Sequence, residues 1–277
     1  NYQGYLSYGE FYLKGRSSKE ILITTDICHP SMANNETSGP VVSTFVAKYF
    51  KNLKNKYSIR FIFIPETIGS ITYLSKNLKH LKQNVIGGYN LTCIGDDRQY
   101  SCMLTKYENT PSDTAIIEAF KKLKIKFKKY SFLERGSDER QYNSPGIDLP
   151  IASIFRTKYE KYPEYHTSLD NFSLVTESGI SGGFKVAKTA IELLLNKIIP
   201  KNNVLCEPQM GKRNLRSSLS IKNKEALNPF SFTKNLANFL QYADGKNDLT
   251  GISKLIKINY KQTFKIYNIL TKHKLIS

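Results

Sequence analysis

Four apolar runs of strand length occur in the first 155 residues, and segments with helical periodicity lie between and after them. The runs 21–25, 59–64, 85–94 and 149–155 predict buried strands. Helices are predicted over 39–51, 71–81, 112–124 and 177–199. This alternation indicates an α/β fold, a three-layer α/β/α sandwich around a mostly parallel mixed sheet.

Weaker signals predict smaller features around this framework. Residues 4–15 alternate enough to indicate one or two strands before the first central strand. Residues 102–104 are predicted to return as the second arm of a hairpin with the strand 85–94. Ser112 or Asp113 is the expected N-cap of the third helix.

The pattern changes near residues 200–203, which contain Pro and two Asn. This change predicts two domains, 1–200 and 201–277. Residues 201–228 are basic and irregular, and three short helices are then predicted over 233–243, 249–256 and 260–273. Three short helices joined by tight turns are typical of a small all-α, winged-helix-like domain.

Composition predicts where in the cell the chain is located. No apolar run approaches 18 residues, so no membrane-spanning helix is expected, and the first residues lack the pattern of a signal peptide. Four cysteines without a Cys-x-x-Cys pair do not form a disulfide framework. A reducing, cytoplasmic location is therefore predicted.

The formal net charge of the 277 residues is +18, and most of the cations are lysines. Such a charge attracts polyanions, including nucleic acid. A solvated surface in a chain that is generally rich in Lys and Asn also explains the charge, and we favour this second interpretation. Binding of nucleic acid is therefore the lowest-ranked function.

Polar and titratable residues follow the predicted strands where a ligand site is expected. His29 lies in the polar stretch 28–40 after the first central strand, and Glu66 follows the second. Asp138 lies in the charged loop 131–150, and His166 lies in a loop after the last strand. Parallel sheets bind ligands beyond the carboxyl ends of their strands, so these four residues are predicted to converge.

Each of these signals has an ordinary structural explanation when it is taken alone. His29 fits a surface turn, Glu66 fits a helix cap, and the loop 131–150 fits a salt-bridged surface. Together, two imidazoles and carboxylates at one sheet edge match the ligands of a zinc hydrolase. Asp170 is predicted to orient the His166 ring, and Glu66 is the candidate general base.

Several segments resemble the clan of zinc aminopeptidases and glutaminyl cyclases. Residues 33–39 are similar to its metal-site loop Ala-Asn-Asp-Asn-x-Ser-Gly, and residues 65–70 to its Glu-Glu-x-Gly element. Residues 137–147 resemble its Ser-Asp-His, Phe and Gly-Ile-Pro region, and 165–170 resemble its Tyr-His-Thr-x-x-Asp segment. The resemblance implies the aminopeptidase fold, with zinc held by residues of these segments.

A closer resemblance is to an aminopeptidase-like family associated with polysaccharide biosynthesis. It is carried by Cys-His-Pro-Ser at 28–31, Ser-Asp-Glu-Arg-Gln-Tyr at 137–142 and Glu-Tyr-His-Thr-Ser at 164–168. The tail is similar to the winged-helix appendage of that family. Because family members carry a small inserted domain upstream, the chain is expected to lack that part.

The sequence departs from the clan at its acidic metal positions. The position of the bridging Asp holds Asn35, the Glu-Glu pair is reduced to Glu66, and a further Asp position holds Thr92. One zinc ion is therefore expected rather than two. Its predicted ligands are His29, His166 and a carboxylate from Asp138 or Glu66, with Asp26 as a further candidate. Asn35, Glu139, Arg140 and Tyr165 are the predicted substrate-binding residues.

Two functions of different classes follow from these observations. The first is a zinc-dependent hydrolase of peptide or amide bonds that acts on a small peptide or amide-bearing substrate, with Glu66 as the base. The second is a catalytically impaired binding or scaffold protein with the aminopeptidase fold, in surface polysaccharide assembly. The sequence does not decide whether the protein forms a homo-oligomer.

Overall fold

The computed structural model describes residues 3–216 and 231–277. The chain divides into two compact units, Asn1–Asn196 and Lys197–Ser277. The predicted irregular stretch 201–228 lies outside the described residues from position 217 onward. No helix in the described ranges is both long enough and apolar enough to cross a lipid bilayer.

The first unit is built on a seven-stranded mixed sheet with the order β1-β3-β2-β4-β7-β5-β6. Strands β3, β2, β4 and β7 are mutually parallel neighbours, whereas β1 is antiparallel to β3 and β5 is antiparallel to β7. The strands are β1 Gly9–Leu13, β2 Ser17–Asp26, β3 Tyr57–Ile64, β4 Val85–Leu91, β5 Ser101–Met103, β6 Lys128–Tyr130 and β7 Ile151–Phe155.

Helices cover both faces of this sheet and complete three layers. On one face α5 packs against α1 and α3, and on the other face α2 contacts α4. The helices are α1 Ser38–Lys51, α2 Ile68–Asn84, α3 Pro111–Leu123, α4 Glu139–Tyr142 and α5 Glu177–Leu195. The predicted three-layer α/β/α fold is therefore confirmed.

Two local predictions were wrong, and the sheet and the caps explain why. The strand at 101–103 pairs with β7 and not with β4, because β4 already has β2 and β7 on its two edges. Helix α3 is capped by Thr110 and not by Ser112 or Asp113. The Thr110 side chain accepts a hydrogen bond from the Asp113 backbone N–H. In return, the Asp113 carboxylate accepts one from the Thr110 backbone N–H, which completes a capping box.

The parallel strands place the candidate residues at one edge of the sheet. Strand β2 ends at Asp26 and β3 ends at Ile64, just before His29 and Glu66. Gly39 lets α1 lie against these strand ends. A Cβ atom at position 39 would lie 2.2 Å from the Thr25 hydroxyl oxygen and 2.3 Å from the Leu91 carbonyl oxygen. The segment 33–38 is therefore held directly over the carboxyl edge.

Within the described residues 197–216 and 231–277, the second unit has three α-helices that share an apolar core. Each helix begins at a side-chain cap, namely Ser231, Asp248 and Asn259. Apolar residues at helical spacing, such as Leu236, Ile252 and Ile266, form the core. The helices are α6 Phe232–Tyr242, α7 Leu249–Leu255 and α8 Tyr260–Lys272.

Candidate metal centre

His29 and His166 lie side by side although 136 residues separate them in sequence. Their ring centroids are 4.7 Å apart, and the Tyr165 ring stacks on His166 at 3.9 Å. Both histidines have left-handed backbone, with φ of 58° and 57°. This conformation is uncommon for residues other than glycine, so the surrounding structure must hold both imidazoles in place.

Glu36 fixes the orientation of His29. One turn of π-helix, Ala33–Thr37, follows the His29 loop, and such turns occur frequently at functional sites. Glu36 Oε1 lies 2.8 Å from His29 Nδ1, and Glu36 Oε2 accepts the Cys28 backbone N–H at 3.1 Å. A carboxylate at Nδ1 favours the tautomer that leaves Nε2 open to a metal.

Asp170 braces the backbone of this turn and does not orient His166, so the predicted contact was wrong. Its carboxylate accepts the backbone N–H groups of Asn34 and Asn35 at 2.6 and 3.1 Å. It also accepts the Tyr162 hydroxyl at 3.1 Å. These bonds join the His166 loop to the π-helical turn. Asp170 and Asn34, which they connect, are 136 positions apart in the sequence.

Glu66 precedes a tight turn at the start of α2. The Ile68 N–H donates to the Glu66 carbonyl at 2.7 Å across Thr67, whose φ and ψ are 64° and −69°. These values describe a γ-turn, which is rare and strained. Within the part of the chain that is described, the Glu66 carboxylate accepts no hydrogen bond, so it is open to a ligand or a water.

Asp138 and Arg140 hold this turn from the opposite side. Asp138 Oδ1 accepts the Thr67 backbone N–H at 2.8 Å and the Ser70 hydroxyl at 2.7 Å. Arg140 Nη2 donates to the Thr67 hydroxyl at 2.6 Å. These bonds explain how a strained turn persists next to Glu66.

Asp26 and Asp138 are two further buried carboxylates, each with one unsatisfied oxygen, and Asp26 is close enough to Glu36 and Glu66 to feel their charges. Asp26 Oδ1 and Asp138 Oδ2 have no hydrogen-bond partner among the described residues. Burial and the nearby charges of Asp138, Glu36 and Glu66 raise the pKa of Asp26 well above its usual range. Burial likewise raises the pKa of Asp138 to about 6 and that of Glu36 to about 7.

These raised pKa values have one physical meaning. Burial takes these carboxyl groups out of water and is the main cause, and the charges of neighbouring acidic groups add a smaller penalty to their ionisation. A divalent cation would remove that penalty and satisfy the open oxygens. The donors, imidazole nitrogen, carboxylate oxygen and thiol sulfur, suit zinc in particular. The residues present therefore fit a zinc ion, even though the whole chain is strongly basic.

Cys28 belongs to the same group of side chains. The ligand atoms of Cys28, His29 and Glu66 all lie within 4.8 Å of one another. The Glu66 backbone N–H donates to Cys28 Sγ at 3.0 Å, and burial raises the pKa of the thiol to about 12. Cys28 was not predicted as a site residue, because adjacency to a histidine carries no specific signal, and Glu36 was predicted only as one of several oxygen donors near His29.

The predicted substrate-binding residues have different surroundings. Tyr165 lies directly at the site against His166. Asn35 donates through Nδ2 to Glu36, and its carbonyl accepts the Thr92 hydroxyl at 3.1 Å. Glu139 is buried and accepts from Tyr159, Ser153 and two backbone N–H groups. Glu139 therefore organises its own loop in this structure.

Comparison with known proteins identifies the family. The family described as "Domain of unknown function (DUF4910)" matches residues 1–197, and a winged helix-turn-helix family matches residues 198–277. The chain belongs to the DUF4910 family. A Clostridium acetobutylicum protein named for polysaccharide biosynthesis, with an aminopeptidase-like domain, is 39% identical over 251 residues. This match covers 90% of the chain and 56% of the relative, so the chain spans about half of that protein.

Solved structures of peptidases and aminopeptidases have a similar fold. The crystal structure of a candidate peptidase from Clostridium acetobutylicum matches with a TM-score of 0.68 at 35% identity. The match covers 98% of this chain and 60% of the peptidase. A zinc aminopeptidase of Bacillus subtilis has a TM-score of 0.58 at 16% identity, over 66% of this chain and 48% of that one. The second likeness shows the fold alone. The predicted family resemblance and the winged-helix assignment are confirmed.

Proposed function

We propose that this protein is a zinc-dependent hydrolase of peptide or amide bonds that holds one zinc ion through His29 and His166. The observation that carries the proposal is the 4.7 Å approach of these two rings beside buried carboxylates with unsatisfied oxygens. Both histidines have positive φ, and residues in such sparsely populated conformations are often found at ligand sites. Asp138 is the sequence candidate for the third ligand, through its open oxygen Oδ2.

The residues around the site have separable tasks in this proposal. Zinc supplies Lewis acidity, which polarises a carbonyl group and acidifies water. Glu66 takes a proton from the attacking water and returns it to the leaving amine, because its carboxylate is open and close to His29. Glu36 holds the Nδ1 proton of His29, and the Asp138–Thr67 bond fixes the turn that carries Glu66.

The substrate proposed is a small peptide or another amide-bearing molecule. Tyr165 is half-buried and offers an aromatic face next to the exposed His166, where an apolar part of a substrate would pack. The name of the Clostridium relative supports a place in polysaccharide biosynthesis. All four cysteines are free thiols, which supports the cytoplasm as the location. Nucleic acid is not among the proposed partners.

Turnover by a Glu66→Gln variant tests the proposed reaction. We expect the variant to hydrolyse a responsive aminoacyl-arylamide or sugar amide at least about 100-fold more slowly than the parent chain, because loss of a general base removes that much. Its zinc content should stay near that of the parent chain, since His29 and His166 are untouched. Initial rates from a substrate panel, with metal analysis of each preparation, give both quantities.

Glu177→Gln is the matched control for this experiment. Glu177 is an exposed carboxylate in the first turn of α5, and its substitution should leave the rate unchanged. Equal turnover by Glu66→Gln and the parent chain would rule out Glu66 as the base.

The second candidate is a binding or scaffold protein with an inactive site. It is favoured by the neutral pair Asn35 and Thr92, which bond to each other at positions that resemble the acidic metal positions of active enzymes. A protein that binds zinc yet hydrolyses none of the panel would support this second candidate against the first.

A further inference from the structure

We propose that Cys28 is a thiolate ligand of the zinc ion, next to His29. This proposal rests on the proposed function. Cys28, His29 and Glu66 form the one group of three potential metal ligands that lies within 4.8 Å among residues 3–216 and 231–277. The ligand atoms of one zinc ion lie within about 4 Å of one another, so a small closure of this group suffices.

One hydrogen bond to the sulfur suits a metal-bound thiolate. Cys28 follows β2 immediately beyond the carboxyl edge, and its side chain is half-buried. The Glu66 backbone N–H donates to Sγ at 3.0 Å, which is a short distance for a sulfur acceptor. Hydrogen bonds to a ligand atom orient it and stabilise its charged form. The sulfur is therefore held beside His29 by the same turn that presents Glu66.

The contacts of His29 argue against Cys28 as a nucleophile. In a nucleophile–histidine–acid arrangement, the acid and the nucleophile contact opposite nitrogens of the ring. Here Glu36 Oε1 and Cys28 Sγ both approach Nδ1, at 2.8 and 3.5 Å. With the Nδ1 proton donated to Glu36, this nitrogen has no lone pair to accept the thiol proton. A role as a ligand uses the sulfur without that transfer.

Cys28 is also better placed than Asp138 to complete the ligand set. Asp138 uses Oδ1 for the Thr67 N–H and the Ser70 hydroxyl, and it is fully buried behind the turn. Asp138 and His166 both lie outside the compact group of Cys28, His29 and Glu66, but the ring of His166 is beside that of His29, with centroids 4.7 Å apart. Cys28 would then take the third protein position with His29 and His166, and Glu66 would keep the role of base.

Binding would break the Cys28 S–H bond, form a sulfur–metal bond and release one proton to solvent, without any transfer of electrons. A thiolate makes the site favour zinc and cobalt over magnesium and manganese. The consequence is a site whose metal preference is set by a sulfur atom rather than by carboxylates alone.

Absorption spectra of the chain loaded with cobalt(II) in place of zinc test this proposal. Visible d–d bands report that cobalt is bound, and a near-ultraviolet sulfur-to-cobalt charge-transfer band reports a thiolate ligand. We expect both in the parent chain. Cys28→Ser should lose the charge-transfer band, whereas Cys206→Ser, which changes an exposed thiol, should keep it. Cys93→Ser should also keep it, although Cys93 is buried and near Asn35.

The outcomes separate this proposal from the proposed function. Visible bands without a charge-transfer band in the parent chain would overturn the thiolate and leave the metal site intact, whatever the stability of the variants. A charge-transfer band that survives in Cys28→Ser would likewise overturn it. If the visible bands change in Asp138→Asn but not in Cys28→Ser, the third protein ligand of the metal is Asp138 and not Cys28. Failure of the parent chain to bind cobalt or zinc would overturn both proposals.

Discussion

His166→Ala is expected to reduce zinc in the purified protein from about one ion per chain to near zero after dialysis. The ring lies 4.7 Å from that of His29 and is exposed, and within the described ranges it makes no hydrogen bond. Its removal should therefore take away a metal ligand with little effect on packing. Metal analysis of protein prepared without chelator measures the change.

The control for this variant is His273→Ala, which changes a histidine of the second unit at the end of α8. It should retain zinc at the level of the parent chain. Thermal unfolding of each metal-free variant checks that neither substitution disrupts the fold. A His166→Ala protein that keeps its zinc would remove this residue from the ligand set.

Asp170→Asn is expected to lower the free energy of unfolding by about 3 kcal/mol, since hydrogen bonds to a buried charged group contribute about 1.5–3 kcal/mol each. The carboxylate is fully buried and accepts the N–H groups of Asn34 and Asn35 and the Tyr162 hydroxyl. In the variant, the side-chain NH2 group would replace one carboxylate oxygen. This group is itself a donor, so it could not accept a hydrogen bond from an N–H group or from the Tyr162 hydroxyl. Urea unfolding of the metal-free protein measures the loss.

Asp97→Asn provides the same chemical change at an exposed position. Asp97 accepts the Thr176 and Ser178 hydroxyls at the surface, so its substitution should shift the urea midpoint very little. If Asp170→Asn unfolds at the same urea concentration as the parent chain, the bonds to the π-helical turn do not brace the site. Zinc affinity should fall with stability, because the same bonds join the two histidine loops.

The sheet and the candidate edge were predictable because strong local signals pointed to them. The runs that became β2 and β3 are apolar over most of their length, and His29 and Glu66 follow them within three residues. Parallel strands then bring both residues to one edge without further information.

Contacts made by distant loops were not predictable in the same way. Asp170 is four residues from His166 in sequence, which suggested a local partner, yet it bonds to Asn34 and Asn35 across the fold. Cys28 and Glu36 joined the site through turns whose backbone conformations leave no trace in hydrophobic periodicity. The pairing of β5 depended on which sheet edges were already occupied.

Backbone strain is a second feature of the site that the sequence did not reveal. His29, Thr67 and His166 all have positive φ, and each such residue costs on the order of 1 kcal/mol or more. Glu36 holds His29 through a hydrogen bond, and Asp138 and Arg140 hold Thr67 in the same way. In the described ranges thirteen non-glycine residues have positive φ, and His29, Thr67 and His166 lie together at the edge of the sheet where a ligand would bind.

The most direct test of the metal centre is a crystal structure of zinc-loaded protein with anomalous scattering recorded at the zinc absorption edge. The account predicts one strong peak with a ring nitrogen of His29 and one of His166 each at about 2.1 Å. A peak that contacts only one of these rings, or the absence of any peak between them, would contradict it.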